Sequence, residues 1–125
     1  MIYGIGIDIV AIHRINENIE QYDERFAEKI LSDKEMEAYR KTHNPVKFLA
    51  KHFAAKEAFV KALGTGFSNG INLKSIQIEH LESGQPVFQY NEKLSEVMHT
   101  NGIISCHISL SDEQEYACAC VILEK

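Results

Sequence analysis

The sequence has few of the features that mark secreted or membrane proteins. It contains three cysteines, an odd number, and two of them lie in an apolar run near the end of the chain. This usage argues against a disulfide framework and fits a reducing cytoplasm. No apolar run approaches the roughly 20 residues of a membrane span, and no basic segment precedes the apolar first ten residues, as a secretory signal would require. The sequence therefore predicts a cytoplasmic protein without a membrane segment.

The sequence also lacks the motifs of several kinds of catalytic and binding site. Cys118 and Cys120 have no second ligand pair, so buried thiols are a better interpretation than a zinc site. There is no Gly-x-Ser-x-Gly elbow and no cysteine beside a base, so covalent catalysis by the protein is unsupported. The net charge of −5 argues against nucleic acid as a partner, because proteins that bind it favour basic surfaces.

What the chain does contain is enough for one packed domain over residues 1–125. It is 45% hydrophobic, and no repeat or low-complexity linker divides it. Apolar periodicity and turn residues predict strands over residues 2–10, 73–81, 87–90, 103–111 and 116–123. Periodicity and capping residues predict helices over residues 14–30, after the Ser32–Glu35 capping box, over residues 45–63 and after Asn91. This order predicts an α+β fold with a mainly antiparallel sheet packed against helices, one of them long.

Asp8 is an acid within an apolar strand. A charge in such a place is costly unless it is paired or bound to a metal. In the alternating pattern Asp8 shares its strand face with Gly4 and Gly6, which leave room for a ligand or for another backbone. A functional role competes with two plainer ones, in which Asp8 caps the following helix or pairs with Arg14.

The long predicted helix carries a basic island in an acidic protein. Glu57 stands there among four lysines, namely Lys47, Lys51, Lys56 and Lys61. Glu57 and Lys61 are four residues apart and share a helical face, either as an ordinary surface pair or half-buried. If Glu57 meets Asp8, the two acids supply the oxygen ligands that hold Mg²⁺ against substrate phosphates, and Lys61 supplies a point charge for a phosphate. A solvated helix face would show the same charges.

Two polar segments follow this helix. The Gly-Thr-Gly loop of residues 64–66 offers backbone N–H groups to a phosphate, although a helix C-cap explains its first glycine equally well. His107, Ser109 and Ser111 form a polar row on one face of a late strand. Such a row fits the wall of a site or a solvent-facing sheet surface.

Three blocks of the sequence resemble the holo-[acyl-carrier-protein] synthases, the small phosphopantetheinyl transferases. The blocks are Gly4–Val10, Phe48–Ala58 continued by Lys61–Gly66, and His107–Ser111 followed by Tyr116 and Ala117. Their order and spacing match over essentially the whole chain, and the middle block is the most specific.

The resemblance implies transfer of 4′-phosphopantetheine from coenzyme A to a serine hydroxyl of apo acyl carrier protein, in support of fatty acid biosynthesis. The other product is adenosine 3′,5′-bisphosphate. Asp8 and Glu57 would hold Mg²⁺ and, with Lys61, would be the catalytic residues. The serine proton would go to Glu57 or to a water on the metal. A homotrimer with sites between subunits is also implied.

The same resemblance implies residues that bind the two substrates. Those for coenzyme A are Lys47, Lys51, His52, Lys61, Gly64, Thr65, Gly66, His107 and Ser109. The acidic carrier protein is expected to dock on the first helix, at Arg14, Arg25 and Phe26. The chain departs from the family pattern twice. His52 stands where Arg is frequent, so its phosphate contact would be weak and pH-dependent. Asp112 stands where His is frequent, and we assign it no role.

Two other interpretations stay open at this point. A non-catalytic nucleotide- or coenzyme A-binding module would use the same lysines and loop. A structural oligomer would bury Asp8, Glu57 and Lys61 as an ion network. The pair of acids favours the transferase, because a protein that only binds has no need of two metal ligands.

Overall fold

The computed structural model describes residues 1–68 and 70–125. Along the chain one strand is followed by four helices, then by two strands, a fifth helix and two final strands. The strands are β1 (Ile2–Ala11), β2 (Ile76–His80), β3 (Pro86–Tyr90), β4 (Ser105–Asp112) and β5 (Tyr116–Glu124). The helices are α1 (Ile12–Tyr22), α2 (Glu24–Ile30), α3 (Asp33–Lys41), α4 (Pro45–Leu63) and α5 (Glu92–Thr100). The predicted α+β class and the long helix over residues 45–63 are confirmed.

Two antiparallel sheets result from this order. The first has the strand order β1-β5-β4, and the second is the β2–β3 hairpin. In the three-stranded sheet Asp8 pairs with Ala119, and Cys120 pairs with Ser109. Helix α4 crosses one face of this sheet and packs mainly on β1 and β5.

Two glycines of β1 let the long helix approach the strand at backbone distance. A Cβ atom on Gly6 would lie 1.8 Å from the carbonyl oxygen of Ala58, and one on Gly4 would lie 1.9 Å from that of Ala62. No real Cβ atom tolerates such a contact, so only glycine fits at these two positions. The room beside Asp8 that the sequence predicted is therefore filled by the backbone of α4.

The ends of α4 follow the sequence signals. The side chain of Asn44 accepts a hydrogen bond from the backbone N–H of Lys47 at 3.1 Å, and Pro45 takes the first helical position. Gly64 ends the helix in the left-handed conformation, with φ at 83°. The capping box of Ser32 and Glu35 at the start of α3 is also present.

Two predicted boundaries were wrong. The single helix expected over residues 14–30 is broken at Asp23, whose φ of 53° is one that aspartate adopts more readily than most residues. Its N–H donates to the carbonyl of Ile19 at 2.8 Å and so ends α1. The strand expected from residue 73 starts later, because Asn72 caps a 3₁₀ turn over Leu73–Ser75.

A buried ion pair ties the other side of α4 to the rest of the protein. Lys56 is fully buried, and its ammonium group donates to Glu35 Oε1 at 2.6 Å and to the carbonyl of Ile30 at 2.7 Å. Glu35 Oε2 accepts the N–H of Ile78 from β2 at 2.9 Å. Burial lowers the pKa of Lys56, and the nearby Glu35 opposes that shift. Lys56 is therefore structural, and its inclusion in the basic island predicted from the sequence was wrong.

The face of the sheet away from α4 is apolar at its β1 edge. Ile5, Ile7 and Ile9 are 59%, 61% and 65% exposed in the protomer. Three neighbouring exposed isoleucines form the kind of patch that mediates association. Within the described part of the chain, no helix is both long and apolar enough to span a membrane.

We expect Gly6→Ala to lower the free energy of unfolding by about 3 kcal/mol or more, because a methyl group there overlaps a helix carbonyl. Urea unfolding followed by circular dichroism measures this. Gly84→Ala is the control, because Gly84 has φ at 90° but open space around it. Backbone strain alone should lower its free energy of unfolding by only about 1–2 kcal/mol. Equal losses in the two variants would contradict close packing of β1 on α4.

Candidate active site

The sheet register and helix α4 bring Asp8 to Lys61. Lys61 Nζ lies 2.9 Å from Asp8 Oδ1 and 3.0 Å from the backbone carbonyl of Ile7. The Asp8 side chain is 16% exposed, whereas that of Lys61 is 54% exposed. Asp8 does not cap the following helix, which begins after Ala11 without a side-chain cap. Its partner is Lys61 rather than Arg14.

Glu57 completes this cluster from one helical turn before Lys61. It is half-buried, and its pKa is raised, first by burial and then by the negative charge of Asp8, while Lys61 acts in the opposite direction. The two carboxylates therefore lie close enough to repel each other, with one ammonium group beside them. The structure brings together Asp8, Glu57 and Lys61, the three residues that the family resemblance grouped.

The donor set fits Mg²⁺. A cation beside Asp8 and Glu57 would offset the burial and the charge of Asp8 that raise the pKa of Glu57. Mg²⁺ is commonly held by one or two carboxylates together with waters and substrate phosphates. No group of three or more His, Cys, Asp or Glu side chains suited to a metal occurs among residues 1–68 and 70–125. A cation here would thus depend on Asp8, Glu57 and oxygens from outside the protein.

Lys47 and Lys51 lie near the start of α4 and share one acidic partner. Asp112 Oδ2, at the end of β4, is 3.5 Å from Lys47 Nζ and 3.9 Å from Lys51 Nζ. Both distances exceed the 2.7–2.9 Å of a tight charge-assisted hydrogen bond. All three side chains are about one-third exposed. These lysines are held loosely by Asp112 and can turn to another anion.

His52 is not at the surface with these lysines. It is 4% exposed, its ring stacks on Phe48 with 4.0 Å between centroids, and Nδ1 lies 2.8 Å from the Phe48 carbonyl. Nε2 lies 3.8 Å from Glu35 Oε2 of the buried ion pair. Burial lowers the pKa of His52 to about 4, so the ring is neutral near pH 7. The expected contact of His52 with a coenzyme phosphate does not fit this placement.

The Gly-Thr-Gly loop follows directly from the Lys61 end of α4. Gly64, Thr65 and Gly66 are exposed, and both glycines have positive φ. The hydroxyl of Thr65 donates to the carbonyl of Gly66 at 3.3 Å. The loop lies at the end of the helix where the macrodipole is negative. Any attraction for phosphate must therefore come from its N–H groups and from Lys61.

His107 and Ser109 lie on the other face of the sheet from Asp8. Ser109 pairs with Cys120, which alternates with the buried Ala119 opposite Asp8. His107 Nε2 pairs with Glu124 Oε1 and lowers the pKa of that carboxyl group. Within one protomer the structure does not bring these two residues to the Asp8 cluster.

Comparison with known proteins decides the family. The sequence profile described as the 4′-phosphopantetheinyl transferase superfamily matches residues 4–121. The chain belongs to this superfamily. It is 47% identical to the holo-[acyl-carrier-protein] synthase of Nitrosospira multiformis over 125 residues, which is all of both chains. The resemblance seen in the three sequence blocks is confirmed.

Solved structures of transferases from this family have the same fold. The crystal structure of the holo-[acyl-carrier-protein] synthase from Neisseria meningitidis superposes with a TM-score of 0.96 at 42% identity, covering 100% of both chains. The synthase from Helicobacter pylori, solved in complex with coenzyme A, superposes with a TM-score of 0.83 at 30% identity, covering 96% of this chain and 99% of its own. The chain is thus a phosphopantetheinyl transferase by sequence and by fold.

A groove beside the break between α1 and α2 contains part of the surface on which the sequence predicts that the carrier protein docks. It has a volume of 580 Å³ and is lined by Asn18, Tyr22, Arg25, Phe26 and Lys29. Arg25 and Phe26 therefore lie together, whereas Arg14 is exposed on α1 outside this groove. Tyr22 and Lys29, which the docking prediction did not include, line the same groove. The break at Asp23, which separates Tyr22 from Arg25, is what shapes this surface.

We expect the free energy of unfolding to decrease as the pH is lowered, because of His52. Its pKa is about 4 when folded against 6.5 as a free side chain, so the unfolded chain binds the proton more tightly. The stabilisation is complete above pH 6.5 and is lost as pH falls towards 4, by up to about 3 kcal/mol.

Urea unfolding at pH 7 and pH 4.5 would measure this loss. The difference between the two pH values should shrink in His52→Gln and stay as in the wild type in the control His43→Gln, because His43 is exposed. An unchanged pH dependence in His52→Gln would show that His52 is not buried in its neutral form.

Proposed function

We propose that the chain is an Mg²⁺-dependent holo-[acyl-carrier-protein] synthase. It transfers 4′-phosphopantetheine from coenzyme A to a serine hydroxyl of apo acyl carrier protein and so supports fatty acid biosynthesis. The observation that carries this proposal is the meeting of Asp8, Glu57 and Lys61, the acids and the ammonium group that phosphoryl transfer needs. The family membership supplies the substrates.

The reaction replaces one phosphorus–oxygen bond with another. The serine oxygen bonds to the phosphorus of the pantetheine phosphate, and the bond to the adenosine-side phosphate oxygen breaks, releasing adenosine 3′,5′-bisphosphate. Asp8 and Glu57 would hold Mg²⁺, which would neutralise charge on the pyrophosphate. Lys61 offsets the negative charge that develops on the transferred phosphate. Glu57, the half-buried carboxylate one helical turn from Lys61, accepts the serine proton.

Residues along α4 and its loop bind the coenzyme. Lys47 and Lys51 contact its phosphates, because Asp112 holds them loosely and they are accessible. Gly64, Thr65 and Gly66 contribute backbone N–H groups beside Lys61. His52 is left out of this set, since it is buried against Phe48 and Glu35.

The active protein is a homotrimer with sites between subunits. The exposed isoleucines of β1 support association, since a polar solvent-facing surface would not carry Ile5, Ile7 and Ile9 together. His107 and Ser109 lie on that same face and not on the Asp8 face. They complete the pocket of a neighbouring subunit rather than their own.

The acidic carrier protein docks on α1 and α2. The groove with Arg25, Lys29 and Phe26 combines two cations with aromatic surface, a composition that suits an acidic helix. Arg14 extends this surface along α1. The enzyme acts in the cytoplasm, where its substrates are made. A binding module without catalysis is less well supported, because it leaves the mutual approach of Asp8 and Glu57 without a purpose.

We expect Asp8→Asn and Glu57→Gln each to lower the transfer rate by about 10²–10³-fold or more. Each removes a carboxylate that would hold the Mg²⁺ that stabilises the charge of the transition state. Mass spectrometry of an apo carrier protein incubated with coenzyme A and Mg²⁺ measures the added phosphopantetheine mass. Glu96→Gln, an exposed acid on α5, is the control and should keep the wild-type rate. No added mass with the wild-type protein on several carriers would refute the transferase proposal.

We expect Asp8→Asn and His107→Ala subunits to restore activity when they are expressed together. A mixed trimer has some sites with a wild-type Asp8 from one subunit and a wild-type His107 from its neighbour, roughly a quarter of all sites for random mixing. Asp8→Asn with Glu57→Gln is the matched control, because both residues belong to one protomer and no complete site forms. Mixed trimers, verified by native mass spectrometry, that stay inactive in the first pair would rule out a shared site.

A further inference from the structure

We propose that Lys61 is an exchangeable cation. It neutralises Asp8 until a divalent cation takes the same carboxylate oxygen, and only then is its ammonium group free to meet a substrate phosphate. This inference rests on the proposed function, because it takes Asp8 and Glu57 as the ligands of that cation. It adds that Lys61 and the metal cannot hold Asp8 Oδ1 at the same time.

The first support is the contact itself. The 2.9 Å between Lys61 Nζ and Asp8 Oδ1 is the length of a charge-assisted hydrogen bond. A second hydrogen of the same ammonium group points to the Ile7 carbonyl, 3.0 Å away. Lys61 therefore contacts both the carboxylate of Asp8 and the backbone of its strand.

The second support is crowding around one oxygen. Mg²⁺ binds carboxylate oxygens at about 2.0–2.1 Å and tolerates little distortion. An ion on Asp8 Oδ1 would then lie within about 5 Å of the bound ammonium group, where the two positive charges repel. Glu57, one turn before Lys61 on α4, is near enough to Asp8 for the charge of Asp8 to raise its pKa, so an ion that contacts both acids would also be close to Lys61. The metal and Lys61 therefore compete for one place.

The third support is the ease with which each partner moves. The Lys61 side chain is 54% exposed, so its ammonium group reaches water by rotation of its own stem. Asp8 is 16% exposed and is carried by a strand pinned under α4. Lys61 is thus the partner that leaves. Binding in this site has an order, in which the metal precedes the contact between Lys61 and phosphate.

A fixed Lys61 is the alternative. In that arrangement Lys61 stays on Oδ1 and the metal uses the other oxygen of Asp8, so Lys61 positions the carboxylate and never meets the phosphate alone. The two arrangements differ in one measurable property, namely whether the hydrogen bond between Lys61 and Asp8 survives when Mg²⁺ binds.

Nuclear magnetic resonance can follow that bond directly. We expect a scalar coupling between Lys61 ¹⁵Nζ and Asp8 ¹³Cγ in the protein alone and its loss at saturating Mg²⁺, without coenzyme A. The buried pair of Lys56 and Glu35, on the other side of α4, is an internal control whose coupling should persist. A Lys61–Asp8 coupling that also persists at saturating Mg²⁺ would overturn the exchange.

Calorimetric titration with Mg²⁺ gives an independent readout. Lys61→Met should bind Mg²⁺ about five- to tenfold more tightly than the wild type, because the competing cation is gone. Lys41→Met, which removes an exposed lysine on α3, should bind as the wild type does. Equal affinities of Lys61→Met and wild type would contradict competition.

Asp8→Asn distinguishes a wrong metal assignment from a wrong exchange of Lys61. If Mg²⁺ binds the wild type and Asp8→Asn equally, or binds neither the wild type nor Lys61→Met, the metal assignment in the proposed function is wrong and the exchange fails with it. If Mg²⁺ binding needs Asp8 but the Lys61–Asp8 bond is unaffected, the exchange alone is wrong.

Discussion

The approach of β1 to α4 at backbone distance is the constraint on which the site depends. Gly4 and Gly6 have no side chains to keep the carbonyls of Ala58 and Ala62 away. The helix therefore lies directly on the strand, and the next residue on that strand face is Asp8. Its short side chain can reach Lys61 and approach Glu57 only because the two backbones are so close. The contacts that pack β1 on α4 therefore also position Asp8 beside Lys61 and Glu57.

The same helix keeps its lysines in three different environments. Lys56 is buried with Glu35 and ties α2, α3 and β2 to α4. Lys61 meets Asp8 on the sheet side. The remaining two, Lys47 and Lys51, share the loose partner Asp112 and stay accessible. One type of side chain thereby builds the core, balances an acidic cluster and stays accessible at the surface, and the difference lies in the acid that each lysine faces.

Sequence reasoning succeeded where the signal is local and failed where a partner is distant. Asn44, Pro45 and Gly64 bound α4 through their own backbone preferences, so its limits could be predicted. The pairing of Asp8 with Glu57 and Lys61 needed a family resemblance, because 49 or more residues separate them along the chain. The burial of Lys56 and His52 could not be seen, since both depend on Glu35 in another helix. Helical periodicity does not tell which polar residue has a buried partner.

The exposed isoleucines of β1 have a consequence for a newly synthesised chain. Strand β1 is an edge of its sheet, and Ile5, Ile7 and Ile9 face outward along that edge. A newly synthesised chain without neighbours offers other chains both a hydrophobic surface and a pairing edge, the combination that promotes aggregation. Self-association through this surface would cover the isoleucines and the strand edge together, and aggregation of chains that have not associated would rise with their concentration.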